Sequence, residues 1–260
     1  MTASLSPVVF DAPLVNPSPT GLFGAVSWID EDAPLRWLGA GVDIRVFNYG
    51  GEHAYGVWQA DPFAVTAELD PDDVKGPGLR PEWPDTFEHF TSWAADDCDL
   101  TQGSQAEVQL RAQQVLRLQE QNAVEEVFAV RLLDDTTPAV SVDDIVDGVA
   151  VLEGALAQTG TLGVIHAPAD FAAHASIIGL IRYNGTKMVS PLGHQWVFGG
   201  GYMHGLGDTM VATSPLFGWR GPVTVGTTIK SELNRFYAIA ERSLLVGYEA
   251  AVGAVSVAGS

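Results

Sequence analysis

The side chains whose types and spacing could do chemistry are few. Asp96-Asp97-Cys98-Asp99 puts three carboxylates and a thiol in one short run. Folded inward such a run holds a hard cation, and left in solvent it is an acidic turn, the simpler reading. His166 and His174 flank an expected helix start, and each reads as a satisfied core or surface histidine rather than a ligand. The glycines at 199–201, 205 and 207 invite a phosphate-loop reading, yet no frame gives G-x-G-x-x-G, and Gly185-Thr186-Lys187 has the wrong order for a P-loop. A Gly-rich hairpin end fits them better. No H-E-x-x-H or G-x-S-x-G occurs. Asn184-Gly185-Thr186 is a formal glycosylation sequon, of no consequence unless the chain is secreted. The sequence therefore assigns no catalytic, cofactor-binding or metal-binding residue, and the chain is not read as an enzyme. An acidic soluble enzyme built on Asp96, Asp97, Asp99 and His166 stands as the alternative from another class.

The elements that would carry these residues differ along the chain. Residues 1–45 are punctuated by Pro7, Pro13, Pro17, Pro19 and Pro34, which bias the backbone away from helix. Between them lie Val8-Val9-Phe10, Leu22-Phe23 and Trp28-Ile29, apolar clusters without helical period. Such an arm has no core of its own. It either wraps its own domain or lies on a neighbouring subunit. Residues 46–103 set strand-like runs (Val57-Trp58, Phe63–Thr66, Phe90–Trp93) on both sides of a Pro-, Gly- and Asp-rich tip at Asp70–Gly78, the pattern of a long projecting hairpin. Five of the 7 Trp fall before residue 100. Indoles on extended chain serve an interface or pack a small local core.

From Ser104 the period changes. Ser104-Gln105-Ala106-Glu107 is a capping box, and Val108, Ala112, Val115, Val124, Val127 and Phe128 recur mainly at helical spacing through residue 131. A helix of that length is a strut or spine, or an amphipathic helix laid on a sheet. Ser141–Asp144 caps a second helix with Ile145, Val149, Leu152 and Leu156 on one face and Gly160 as its stop. Leu162–His166 reads as a buried strand, with Pro168 in the first turn of a third helix through Phe171 and His174. Lys187–Ser190 and Gln195–Phe198 flank a Pro191-Leu192-Gly193-His194 turn. Val223–Val225 is a strand, and Phe236–Val257 reads as strands broken at Gly247 and Gly253.

Composition narrows the role. With 13 Lys and Arg against 32 Asp and Glu the formal charge is −19, which excludes nucleic-acid binding through a basic patch. Hydrophobic residues at 47% exclude a disordered acidic tail, and charged residues at only 17%, below the globular norm of roughly 25%, make polar surface scarce and leave apolar surface outside. Other chains are expected to cover some of it. The one Cys makes no internal disulfide, no signal peptide is read at Met1-Thr2-Ala3-Ser4, and no membrane span is expected.

The order of arm, projecting hairpin, long helix, mixed α/β segment and returning strands resembles the major capsid protein of tailed bacteriophages, the Hong Kong 97-type shell fold, with the local sequence similar to shell proteins of phages of actinobacteria. Gln119–Glu125 resembles that family's spine helix. Ile145–Gly160 with Leu162–Pro168 resembles the opening of its axial domain. Ser190–His194 with Val197–Tyr202 resembles the central hairpin, Thr213–Gly221 the strand pair that follows, and Glu241–Gly247 with Ala254–Val257 the returning strands beside the spine. The resemblance implies an α+β fold divided into an N-terminal arm (1–45), an extended hairpin loop (46–103), a peripheral domain with the spine helix (104–140), an axial α/β domain (141–228) and returning peripheral strands (229–260). It implies self-assembly into hexamers and pentamers of an icosahedral virion shell that encloses double-stranded DNA without sequence-specific binding. The protein would be made in the host cytoplasm, with no membrane and no cofactor. A scaffold, if used, would be a separate chain, since no long charged helical N-terminal extension is read, and separate portal and decoration proteins are partners the resemblance allows. Lys75 lies where some members place a cross-linking Lys, and a solvated Lys is the simpler reading. A shell of the same fold around protein cargo, as in encapsulins, is the nearer alternative.

Overall fold

The computed structural model describes residues 8–258 apart from 52–53, 69, 71–74, 101–104 and 137. A 3-10 turn (Leu22–Gly24) leads into strand β1 (Val26–Asp30) and the one-turn helix α1 (Trp37–Ala40). The next strand among the described residues is β2 (Phe90–Asp99), followed by the long helix α2 (Gln105–Asp135). Then come β3 (Val140–Val142), α3 (Ile145–Gln158), β4 (Val164–Pro168), α4 (Phe171–Ile177), the hairpin β5 (Arg182–Asn184) and β6 (Lys187–Val189), β7 (Gln195–Gly199), α5 (Tyr202–Gly205) and β8 (Thr209–Thr213). Strands β9 (Leu216–Arg220), β10 (Thr224–Lys230), β11 (Arg235–Tyr248) and β12 (Ala251–Val257) close the chain.

The strands form two sheets. The first has the order β1-β9-β11-β10, with β2 also pairing β11; the second runs β3-β12-β8-β4-β7-β6-β5. The expected boundaries therefore shift. Strands β9 and β10, placed by sequence in the 141–228 segment, pair with β11 in the first sheet, whereas β12, expected among the returning strands of the spine-helix domain, pairs β8 and β3 in the second. The chain changes sheet at Glu249-Ala250, between β11 and β12. Gly247 does not break β11. It pairs Phe217 within the ladder, and a Cβ there would lie 2.8 Å from the Phe87 ring, so its role is close approach. Gly253 sits at a register shift of β12 against β8.

Helix α2 spans about 46 Å at 1.5 Å per residue. Its buried stripe is Val108, Ala112, Leu116, Glu120, Val124, Phe128 and Leu132. The expected stripe needs correction at Val115 and Val127, which are exposed. A strict four-residue step carries the stripe through a charged residue, Glu120, that hydrophobicity alone does not place inside. The first half of α2 lies under β2 and β11 against Ala94, Phe236, Ala238 and Ala240. Its second half packs at the junction of both sheets with Leu22, Tyr202, Leu244 and Tyr248. The capping box at its start falls outside the described residues because Ser104 does.

Helix α3 behaves as its sequence implies. Asp144 caps it, its carboxylate accepting from the amides of Val146 and Asp147 at 2.8 and 3.0 Å, and Gly160 (φ 72°) follows its end. Val149, Leu152 and Leu156 are buried against the second sheet. Gly154 is different, since nothing lies within 4 Å of a Cβ built there. Gly154→Ala is expected to raise subunit stability by up to about 1 kcal/mol through helix propensity, read as an upward shift of the urea midpoint at unchanged slope. Strand β4 begins two residues later than expected and ends on Pro168. That proline lies past the β4–β8 ladder, which stops at His166, so its missing N–H leaves no bond unmade there.

Between residues 46 and 89 the expected hairpin ladder is absent among the described residues. Val57-Trp58 and Phe63–Thr66 form no strand, and the regular features are a 3-10 turn (Thr66–Glu68) and the Val42–Phe87 bridge. Pro62, Pro77, Pro81 and Pro84 each remove a ladder donor, which leaves the two flanks unable to pair. The tip residues Pro71–Val74 lie outside the described residues. Phe90–Trp93, grouped by sequence with this segment, instead opens β2, a full member of the first sheet.

Candidate functional site

The features that need explaining are long irregular segments fixed at their bases, with exposed apolar side chains farther out among the described residues. Residues 15–23 run along α2 in the same direction as the helix. Gln114 donates to the Val15 carbonyl, Arg117 to Asn16, and Gln121 to the Thr20 carbonyl at 2.7 Å while accepting from the Phe23 amide at 3.1 Å. The track ends at Glu125, a fully buried carboxylate. Its Oε1 accepts the Leu22 amide and its Oε2 the Gly201 amide, both at 2.9 Å. One side chain thus joins the arm, the long helix and the corner after β7. Burial pushes the Glu125 carboxyl up, against the two amides, which favour its charged form.

Upstream of Leu14 no such partner is found among the described residues. Val8, Val9 and Phe10 are 94%, 86% and 81% exposed, so their apolar area stays in water in the isolated chain. The two readings of the arm divide along its length: residues from Val15 wrap their own subunit, and residues 8–10 are uncovered by it.

The segment 46–89 repeats this design. At its base Glu249 accepts the amides of Phe47 and Asn48 and the Asn48 side-chain amide. Burial, the largest single influence, raises the Glu249 carboxyl, but the three hydrogen bonds together outweigh it and hold the group below its usual range. Arg131 donates to the carbonyls of Asp85 and Thr86 and stacks over Phe87 at 4.3 Å. Farther out, Tyr55, Val57, Phe63 and Leu79 are exposed, Phe63 to 91%. Lys75 stacks over Trp58 at 4.4 Å. Among the early tryptophans Trp37 joins the core, while Trp58, Trp83 and Trp93 remain exposed.

The residues considered for catalysis are dispersed. The run at 96–99 is strand rather than turn, and its alternation sends side chains to opposite faces. Asp96 pairs Arg111, Asp97 pairs Arg235, and Asp99 accepts from Asn234 at 2.9 Å. His174 is exposed on α4, and His166 is buried on β4 in the second sheet rather than the first. Among the described residues no group of three His, Cys, Asp or Glu is placed to hold a metal ion, and no helix is long and apolar enough to cross a membrane.

His166 is instead the centre of a polar relay. Nδ1 lies 2.9 Å from the Tyr202 hydroxyl and Nε2 lies 3.0 Å from Thr213 Oγ1. Thr213 donates its single proton to the Ser214 carbonyl, so it accepts from Nε2–H, and Nδ1 accepts from Tyr202. Burial depresses the imidazole to about 3. The glycines after β7, expected as a hairpin end, are a contact surface. A Cβ on Gly201 would stand 2.0 Å from the Asn122 carbonyl of α2, and one on Gly205 would stand 2.5 Å from Ala129. Among the described residues Glu120, Glu125, Glu153 and Glu249 are buried carboxylates; Glu125 and Glu249 fix the bases of the two irregular segments, and their partners in space left no signal in sequence.

The chain matches no protein-family model and no curated protein sequence. Solved structures match it end to end. That of Mycobacterium phage Adephagia is 11% identical with a TM-score of 0.54, over 100% of this chain and 96% of its own. Microbacterium phage Oxtober96 gives 9% and 0.54 over 99% and 95%, and Mycobacterium phage Bobi gives 12% and 0.53 over 100% and 96%.

Proposed function

From the premise that this chain has the Hong Kong 97-type capsid fold, we propose that it is the major capsid protein of a tailed bacteriophage, assembling into the icosahedral head around the double-stranded DNA genome. One observation carries the reading. Apolar side chains on segments clamped at their bases, Val8 to Phe10 and Phe63 above all, are 81–94% exposed in the single subunit. Obligate interfaces bury on the order of 2,000 Å² or more and are apolar, and the exposed side chains of these segments contribute such a surface. In this reading α2 is the spine, the first sheet with α2 is the peripheral body, and the second sheet is the axial body around which hexamers and pentamers close. The role is structural and the site of action is the virion. The −19 charge suits a wall that does not hold the genome by its phosphates. Scaffolding, portal and decoration proteins would be separate chains.

Deletion of residues 1–12 tests the reading, because it leaves the Gln114, Arg117, Gln121 and Glu125 contacts in place. The shortened subunit is expected to melt within about 2 °C of the full chain, since its described part, residues 8–12, is exposed. Electron microscopy is expected to show closed shells for the full chain and none for the deletion. A full chain that stays a monomer or dimer under all assembly conditions would overturn the proposal, and normal shells from the deletion would remove the arm from it. Particles filled with protein rather than DNA in the native source would move the chain to the encapsulin-like alternative.

A further inference from the structure

Charge is distributed unevenly across the second sheet. From Phe171 to Gly207 the chain has no Asp or Glu, and this stretch carries Arg182 and Lys187 on the β5–β6 hairpin. From Leu132 to Ile181 it has no Lys or Arg, and the residues around β3 and the start of α3 include Asp143, Asp144 and Asp147, all exposed. Sheet order puts β3 at one edge and β5 at the other, six strand spacings or about 29 Å apart. A basic edge and an acidic edge on opposite sides of one body attract when copies are placed head to tail.

The shapes complement each other as the charges do. Beside the acidic edge lies a groove of about 410 Å³ with Ile145, Val146, Phe171, Ile177 and Val257 in its wall and Asp143 on its rim. The hairpin at the other edge turns at Gly185 (φ 63°) and presents Tyr183, 73% exposed, between Arg182 and the turn. An aromatic flanked by cations is the natural filling for an apolar groove rimmed with carboxylates.

Resting on the capsid reading, we propose that the β5–β6 hairpin of one copy seats in the Asp143-rimmed groove of the next copy, Tyr183 entering it and Arg182 and Lys187 facing Asp143 and Asp147. This contact is heterologous, so repeating it builds a ring when the rotation per copy closes, as the hexamers and pentamers of the capsid reading require. It orders subunits around the axis independently of the arm and the 46–89 segment, and it makes two of the chain's few cations the determinants of direction in an otherwise self-repelling acidic protein.

A charge swap tests it. R182E/K187E and D143K/D147K are each expected to reduce the yield of closed shells at least tenfold, with the subunit's melting temperature lowered by no more than about 4 °C, because what each loses within the subunit is exposed: the Arg182 bond to the Pro191 carbonyl, the Lys187 bond to Gln195 and the Asp147 charge in the first turn of α3. Asp144 is left alone because it caps α3. The quadruple variant, which reverses both edges, is expected to regain shells. Normal shells from either double variant, or failure of the folded quadruple variant to recover, would overturn the contact while leaving the capsid reading intact. A wild-type chain that forms no shells would remove that reading itself.

Discussion

Gly201→Ala is expected to cost the subunit about 4 kcal/mol, a large share of the 5–15 kcal/mol typical of a folded domain. The backbone at this position (φ −69°, ψ −25°) suits any residue, so the loss comes from space alone. A Cβ would lie 2.0 Å from the Asn122 carbonyl and 2.8 Å from Glu125 Cβ, and the nearer atom is backbone of the long helix that cannot swing aside. Relief requires the corner after β7 to lift off α2. That separation costs about 1–3 kcal/mol of overpacking strain, and it breaks the Gly201 amide bond to Glu125, leaving a buried donor unpaired for about 1–3 kcal/mol more. Gly200→Ala is the control. There the near atom is Asn122 Oδ1 at 2.7 Å, the end of an exposed side chain free to rotate, and the expected loss is below about 1 kcal/mol. Urea denaturation of the two variants side by side decides the matter. Equal losses would mean that the corner does not bear rigidly on the helix.

That junction also shows why parts of this fold are legible in sequence and parts are not. Periodicity reports an element when its own residues decide which face is buried, as in α3, where Asp144, Leu152, Leu156 and Gly160 fall where they were expected. It places α2 correctly yet reads Val115 and Val127 as core, because a single chain's hydrophobic pattern does not separate the face packed on its own sheets from apolar residues left exposed. Glu125 and Glu249 are invisible for a different reason. Their partners, Leu22 and Phe47, are backbone amides about a hundred or two hundred residues away, and an amide has no residue type. Sheet membership failed at β12 because a strand's sequence gives its period but not its neighbour. The 46–89 segment was read as a hairpin because its apolar runs have strand-like composition, although its prolines deny it a ladder. Its exposed residues make more sense as partners for other copies than as halves of one hairpin. The resemblance added the fold, which no motif here encodes.

Acid is expected to weaken the subunit through His166. In the native state the ring is neutral, with both nitrogens engaged and the group depressed to about 3 by burial, whereas unfolded it titrates near 6.5. The unfolded chain therefore binds the extra proton throughout the window between those values. Stability from this residue is complete above about pH 6.5 and is lost as pH falls through the window, by up to about 5 kcal/mol at 1.36 kcal/mol per unit. Between pH 7 and pH 5 the share is about 2 kcal/mol. Protonation would turn the Tyr202 hydroxyl from donor to acceptor toward Nδ1, but Tyr202, itself pushed up by burial, supplies no negative charge to offset the buried imidazolium. His194, depressed in the same direction by burial with Glu153 opposing, adds its own slope, and Glu125, raised by burial, contributes the opposite sign as pH falls through its raised value toward the ordinary carboxylate value. His166→Gln removes one titration and leaves the others, so the difference between the two proteins isolates it. The variant is less stable at pH 7, and its loss on going to pH 5 is expected to be smaller than the wild-type loss by about 2 kcal/mol. Identical pH slopes in the two proteins would mean that the imidazole is not held neutral. Because Phe128 of α2 packs on the His166 ring at 6.1 Å, protonation there would loosen the second sheet from the long helix first, and hydrogen exchange at the amides of β4 and α5 should rise before those of β2.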